Sequence, residues 1–214
     1  MHIPDGFLNG ATMATTSVAS AGGLGVAIKM VGRRLGERQV PLMGIMGAFI
    51  FAAQMLNFPV AGGTSGHLIG AALAAILLGP WAVVIIMSLV LIAQCLIFQD
   101  GGLLALGANI FNMGIVAGLG AYLVYRFLIK VMVDSRRPVA GFIAAWLSVF
   151  AASLAASVEL AVSGTAPLGA VLPAMAGVHA LIGIGEGLAT VAVLELVRAT
   201  RKDLLQPEKT CGIN

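Results

Sequence analysis

The sequence predicts an all-α integral membrane protein, a bundle of seven transmembrane helices, and three observations carry that prediction. Of its 214 residues, 59% are hydrophobic and only 10% charged, and the mean hydropathy is +1.02. A soluble domain runs near about 25% charged, so lipid must cover the excess apolar surface. Apolar runs recur at roughly the 20-residue length that a spanning helix needs. The basic residues, finally, gather at alternate ends of those runs.

In chain order, the apolar segments lie near 10–32, 40–57, 67–79, 81–99, 107–132, 138–162 and 173–198. Each is bounded by turn-forming residues: GRRLGERQVP, NFPVAGGTSG, GPW, QDGG, DSRRP and SGTAPLGAVLP fall between successive spans. The third, HLIGAALAAILLGP, is short for a crossing and is expected to tilt, to begin in a re-entrant stretch or to be sheltered by its neighbours. One transmembrane domain over 1–200 and a short polar cytoplasmic tail over 201–214 are therefore expected. Cys95 and Cys211 form no evident disulfide framework.

Lys29, Arg33, Arg34 and Arg38 follow the first span, Arg126, Lys130, Arg136 and Arg137 close the fifth, and Arg198, Arg201, Lys202 and Lys209 follow the seventh. With seven alternating spans all of them fall on one side. The positive-inside rule makes that side cytoplasmic, which places the N-terminus outside and the C-terminus inside. Dispersed over helix ends in this way, the charge of +3 argues against a nucleic-acid partner. The segment from Met1 to Asn9 has no basic leader region, so Met1 and His2 are expected to persist in the mature chain.

Polar residues collect towards the outer side: Asn57, His67, Gln94, Gln99, Asp100, Asn109, Asn112, Glu159 and His179, with Glu186 deeper. Such groups are costly in lipid and face a cavity or one another. Asn109 and Asn112, three apart, suit interhelical hydrogen bonding, and Glu159 can snorkel at the end of its span. His179 and Glu186 are seven apart and share a helix face. That pair can line a cavity, stabilise a helix crossing or support a site from behind, the structural roles being the default.

A histidine at position 2 has a specific chemical capacity. The terminal amine of Met1, the deprotonated amide of His2 and its imidazole Nδ1 form fused five- and six-membered chelate rings, close to coplanar. One more nitrogen completes a square plane, a geometry that suits Ni(II) or Cu(II) rather than oxygen-seeking Mg, Ca or Mn or sulfur-seeking Zn. Of the two other histidines, His67 stands at the outer mouth of the third span after GGTSG, and is favoured as the fourth ligand over the deeper His179.

At NFPVAGGTSGHLIGAALAAILLGPW (57–81), QDGGLLALGANIFNMG (99–114) and HALIGIGEGLAT (179–190), with MHIPDGFL at the start, the chain resembles a known family over about nine-tenths of its length. These stretches are similar to the CbiM/NikM family, the nickel- and cobalt-specific substrate-binding membrane components (S-components) of energy-coupling factor (ECF) transporters. The resemblance implies one N-terminal helix added to a six-helix S-component core, in a prokaryotic cell (inner) membrane. It implies Met1, His2 and His67 as metal ligands, with Asn57, Ser65 and the segment from Asp100 to Asn112 as candidate supports. The transported Ni(II) or Co(II) is then cargo, with no permanent cofactor. Implied partners are a transmembrane coupling (T) component, a pair of cytoplasmic ABC-type ATPases and, in some systems, a small accessory membrane subunit.

The residues fit that division of labour. Neither Lys29 nor Lys130 carries the glycine spacing of a phosphate-binding loop, so ATP hydrolysis is expected of a partner. The series Gly44, Ala48, Ala52 on the second span permits close helix approach, either to the coupling partner or within the bundle. An intramembrane metalloenzyme would need a general base, for which Glu186 is the one well-placed candidate, and no HExxH is present. A passive metal channel would need a polar path through an inner half that is mostly apolar. A transport subunit, not an enzyme, is the expectation, with cobalt delivery for cobalamin synthesis as the alternative to nickel.

Overall fold

A computed structural model describes residues 1–32, 39–60, 64–133 and 136–201. Arg33, Arg34, Arg38, Lys202, Lys209 and Cys211, and the tail beyond Arg201, lie outside the described residues. The described chain forms α1 (Gly10–Gly32), α2 (Gln39–Gln54), α3 (Ala71–Leu78), α4 (Pro80–Phe98), α5 (Leu106–Val131), α6 (Arg137–Val162) and α7 (Leu168–Thr200). Between α2 and α3 stand two short strands, β1 (Phe58–Val60) and β2 (Thr64–Gly66), paired antiparallel with Phe58 opposite Gly66 and Val60 opposite Thr64. The helical membrane architecture is as the sequence predicts, and the hairpin is an addition to it.

Five helices, α1 and α4 to α7, are long and apolar enough to cross a membrane. The second and third expected spans come out shorter: α2 has 16 residues and α3 only eight. At 1.5 Å per residue α3 reaches about 12 Å, well short of a hydrocarbon core of about 30 Å. Residues 67–70, expected inside the span, are not helical. Gly70 caps α3 with a left-handed φ of 76°, and a Cβ there would stand 2.7 Å from Ile50 Cγ1, so neither the backbone conformation nor the space admits a side chain.

The shortness of α3 follows from where it sits. It packs against α2, α4, α5, α6 and α7, and Ala71, Ala72, Ala74 and Ala75 are all fully buried. With its first five residues shut in by protein, short, irregular backbone at membrane depth is tolerated there. The seventh helix also departs from expectation, starting at Leu168 with Pro173 inside it rather than at Pro173. Within α5, Phe111–Leu119 is π-helical, an expansion often found beside functional residues.

The first nine residues are not helical, yet Met1 and Ile3 are fully buried and His2 is 3% exposed. They enter the bundle at the end marked by β1, β2 and the α4–α5 connection, so the chain start belongs to the core.

Candidate metal centre

Three anchors fix the N-terminal segment. Asp5 accepts hydrogen bonds from the backbone N–H groups of Leu103 (3.1 Å), Leu104 (2.8 Å) and Ala105 (3.3 Å) at the start of α5. Asn109 clasps Ile3 on both sides, accepting from its N–H at 2.8 Å and donating to its carbonyl at 3.1 Å. The Ile3 carbonyl also accepts from Gly102 N–H at 2.9 Å. A Cβ on Gly102 would collide with the carboxylate and backbone nitrogen of Asp5, so glycine is required where the two backbones meet.

These anchors deliver the chain start to Ser65, in β2. The amine of Met1 donates to Ser65 Oγ at 3.0 Å and the N–H of His2 to the same oxygen at 3.1 Å. Two nitrogens adjacent in the chain are thereby aimed at one point. The imidazole of His2 stands against that of His67, with centroids 4.5 Å apart and planes 22° from parallel. His2 Nδ1 lies 2.9 Å from Asp100 Oδ1 without hydrogen-bond alignment, and both its ring nitrogens are buried and otherwise unpartnered. Asp100 is held in turn by Asn57 Nδ2, which donates to its Oδ2 at 3.0 Å.

His67 Nδ1 contacts the Leu68 carbonyl at 2.7 Å. A carbonyl accepts only, so Nδ1 carries the proton and Nε2 keeps its lone pair, buried and unpartnered. His179 repeats the pattern, with Nδ1 2.8 Å from the Met175 carbonyl and Nε2 buried without a partner. Glu186 accepts from Ile69 N–H at 2.9 Å and Gly70 N–H at 2.6 Å, while Gln54 Nε2 donates to the Ile69 carbonyl at 2.8 Å. The non-helical turn after His67 is thus held from both sides.

Burial shapes the protonation of the nook. It pushes the Met1 amine well below its ordinary range, against the opposing pull of Asp100. It also lowers His2, despite the neighbouring Asp100 carboxylate. His67 is driven well below its ordinary value, first by burial and then by the nearby amine and His2. For Asp100, burial acts upwards, but His2, the amine and Asn57 outweigh it and the net shift is downwards. Burial therefore disfavours the charged forms of the amine and of both imidazoles. Among the described residues no three His, Cys, Asp or Glu side chains cluster as metal ligands would, so a metal centre here would draw on main-chain nitrogen.

The structure brings together Met1, His2, His67 and Ser65, with Asn57 acting through Asp100 and Glu186 through the 68–70 backbone. His179, buried on α7, lies close enough to the nook to interact with the Ser65 backbone, the Met1 amine and His67, though it bonds to none of Met1, His2 and His67. Asn112 does bond between helices, donating to Glu159 Oε2 at 2.7 Å, but Glu159 is buried rather than snorkelling and Asn109 serves the N-terminal segment. Gly44, Ala48 and Ala52 are exposed on α2, whereas Gly47 faces Ile86 and Val90 of α4. Asp5 was not legible as an anchor, since an Asp-Gly pair in a polar start reads equally as an ordinary turn.

The comparisons with known proteins agree on one kind of molecule. A family model described as the cobalt uptake substrate-specific transmembrane region matches residues 2–204. The chain is 34% identical, over 98% of its length and 65% of the relative's, to the fused nickel transport protein NikMN of Rhodobacter capsulatus. It is 37% identical, over 95% of its length and 94% of the relative's, to the cobalt transport protein CbiM 1 of Pelobacter propionicus. A crystal structure of a truncated transition metal transporter superposes with a TM-score of 0.88 at 37% identity, covering 93% of this chain and 99% of that one. The chain is a multi-pass membrane protein of nickel and cobalt transport, a transporter rather than an enzyme. It belongs to the CbiM family, as the sequence resemblance implied.

Proposed function

We propose that the chain is the capture subunit of an ECF-type importer that takes up Ni(II) at the extracytoplasmic face of a prokaryotic cell membrane. Four nitrogens hold the ion: the Met1 amine, the His2 amide, His2 Nδ1 and His67 Nε2. The observation that carries this reading is the convergence of the Met1 and His2 main-chain nitrogens on one oxygen, Ser65 Oγ, beside the unpartnered Nε2 of His67. When the ion displaces the amide proton, Ser65 Oγ loses that donor but can still accept from the N–H groups of the coordinated Met1 amine, so the same residue serves the empty and the loaded nook. The four-nitrogen set favours Ni(II), with Cu(II) the competitor on raw affinity.

Co(II) is the second reading of the cargo, favoured by the cobalt names of the family model and of the Pelobacter relative. Release to the cytoplasm depends on a transmembrane coupling component and two ABC-type ATPases, with a small accessory membrane subunit in some assemblies. The exposed Gly44, Ala48, Ala52 stripe of α2 is the face offered to the coupling component.

The experiment is to add one residue before Met1, or to acetylate its amine, and titrate the purified chain with Ni(II). Binding is expected to disappear while the helical circular-dichroism spectrum stays unchanged. Undiminished binding overturns the N-terminal chelate.

A further inference from the structure

We infer that Glu186 is a positioning residue for the metal nook, acting on His67 through a single peptide plane; the inference rests on the proposed role of His67 Nε2 as a ligand. The Leu68–Ile69 peptide unit carries both contacts. Its carbonyl lies 2.7 Å from His67 Nδ1 and its N–H donates to Glu186 Oε2 at 2.9 Å. No described peptide bond is cis, and in a planar trans unit the C=O and N–H point in opposite directions. The imidazole and the carboxyl group are therefore joined in line, one on each side of the plane.

The neighbouring unit locks the first. The Ile69 carbonyl accepts from Gln54 Nε2 at 2.8 Å, and Gly70 N–H donates to Glu186 Oε1 at 2.6 Å. Two adjacent peptide planes are thus held at both ends, each by Glu186 of α7 at its N–H and, at its carbonyl, the first by His67 and the second by Gln54 of α2. Glu186 is 2% exposed and both its oxygens are used, so its acceptors are committed to this backbone.

Two consequences reach His67. With the Leu68 carbonyl fixed, Nδ1 must be the protonated nitrogen and Nε2 the bare one, which sets the tautomer and the ring orientation. An acceptor on the peptide N–H also polarises the unit and strengthens its carbonyl as an acceptor, raising the donor strength of Nε2. Ligating histidines usually have their second nitrogen bonded to a carboxylate or carbonyl directly. Here the carboxyl group stands one peptide further back, on α7, whereas the histidine lies in the non-helical turn before α3.

The test is a double-mutant cycle on the full chain in detergent, read by Ni(II) dissociation constants from competition with a chromophoric chelator. Glu186→Ala is expected to weaken Ni(II) binding by about 10–100-fold, as loss of a supporting group does, and to shift the visible bands of the bound ion. Glu186→Gln, which keeps one acceptor oxygen, is expected to fall between Ala and the parent. In a His67→Ala background, Glu186→Ala is expected to change affinity less than about twofold, because the residue through which it acts is gone. An equal loss in both backgrounds, or none in the parent, overturns the inference. Undiminished binding by His67→Ala alone overturns the metal nook itself. Should Glu186→Ala not fold, 15N NMR of histidine-labelled parent protein without metal decides: the Nδ1–H tautomer at His67 is expected, and the Nε2–H tautomer refutes the relay.

Discussion

His2 is 3% exposed and His67 2%, and the work of the site begins with what burial does to them and to the Met1 amine. A protonated amine or imidazole must shed its water to sit here, so the charged forms are disfavoured and their pKa values fall. The sign follows: the free bases persist to lower pH than in water, so proton competition at the amine and the imidazoles sets in at lower pH than for an exposed terminus. An amine of ordinary pKa near about 7.7–8.0 would compete throughout the neutral range. In a nickel titration between pH 8 and 5, half-occupancy of the protein is expected at a lower pH than for the isolated peptide MHIPDGF. Coincident midpoints would mean that the nook is wet. At this scale the sequence disclosed the ligand-capable atoms, because donor chemistry belongs to residue type and to position 2. It did not disclose Asp100 as the neighbour of His2 or Asn109 as the clasp on Ile3, since contacts across about a hundred positions depend on the bundle being assembled.

Among the elements, the N-terminal segment and α3 do most to shape the site. Asp5 holds the segment by three backbone N–H groups, as a helix N-cap would, and such a cap contributes about 1 kcal/mol. Asp5→Ala is therefore expected to weaken Ni(II) binding roughly fivefold, measured by chelator competition, with little change in the unfolding midpoint. Gly102→Ala, whose methyl would overlap Asp5, is expected to weaken it further, and an unaffected constant would show that the segment docks elsewhere. The bounds of α1, α4, α5 and α6 were legible to within about one residue, because long apolar runs between charges or glycines fix them. The extent of α3 was not. Hydropathy records that HLIGAALAAILL avoids water, but protein and lipid are equally apolar surroundings, so a run of alanines does not reveal which of them it meets.

For the molecule as a whole, the exposed stripe Gly44, Ala48, Ala52 is the face proposed above to meet the rest of an importer. Ala48→Leu is expected to reduce co-purification with a coupling component while leaving Ni(II) affinity unchanged; an intact complex would place the docking face elsewhere. Liposomes holding this chain alone are expected to bind Ni(II) outside yet accumulate none within, measured by a lumenal metal-sensitive dye. The reason lies in α3. From His67 the chain turns directly into a helix whose alanines are sealed among α2 and α4 to α7, so solid packing adjoins the nook. Throughput is then a matter of counting. An open conduit passes many ions for each gating event, whereas a filled interior allows one ion per mechanical stroke. Uptake should accordingly saturate at the stroke frequency of the motor, in a fixed whole-number ratio to its strokes, however much metal waits outside.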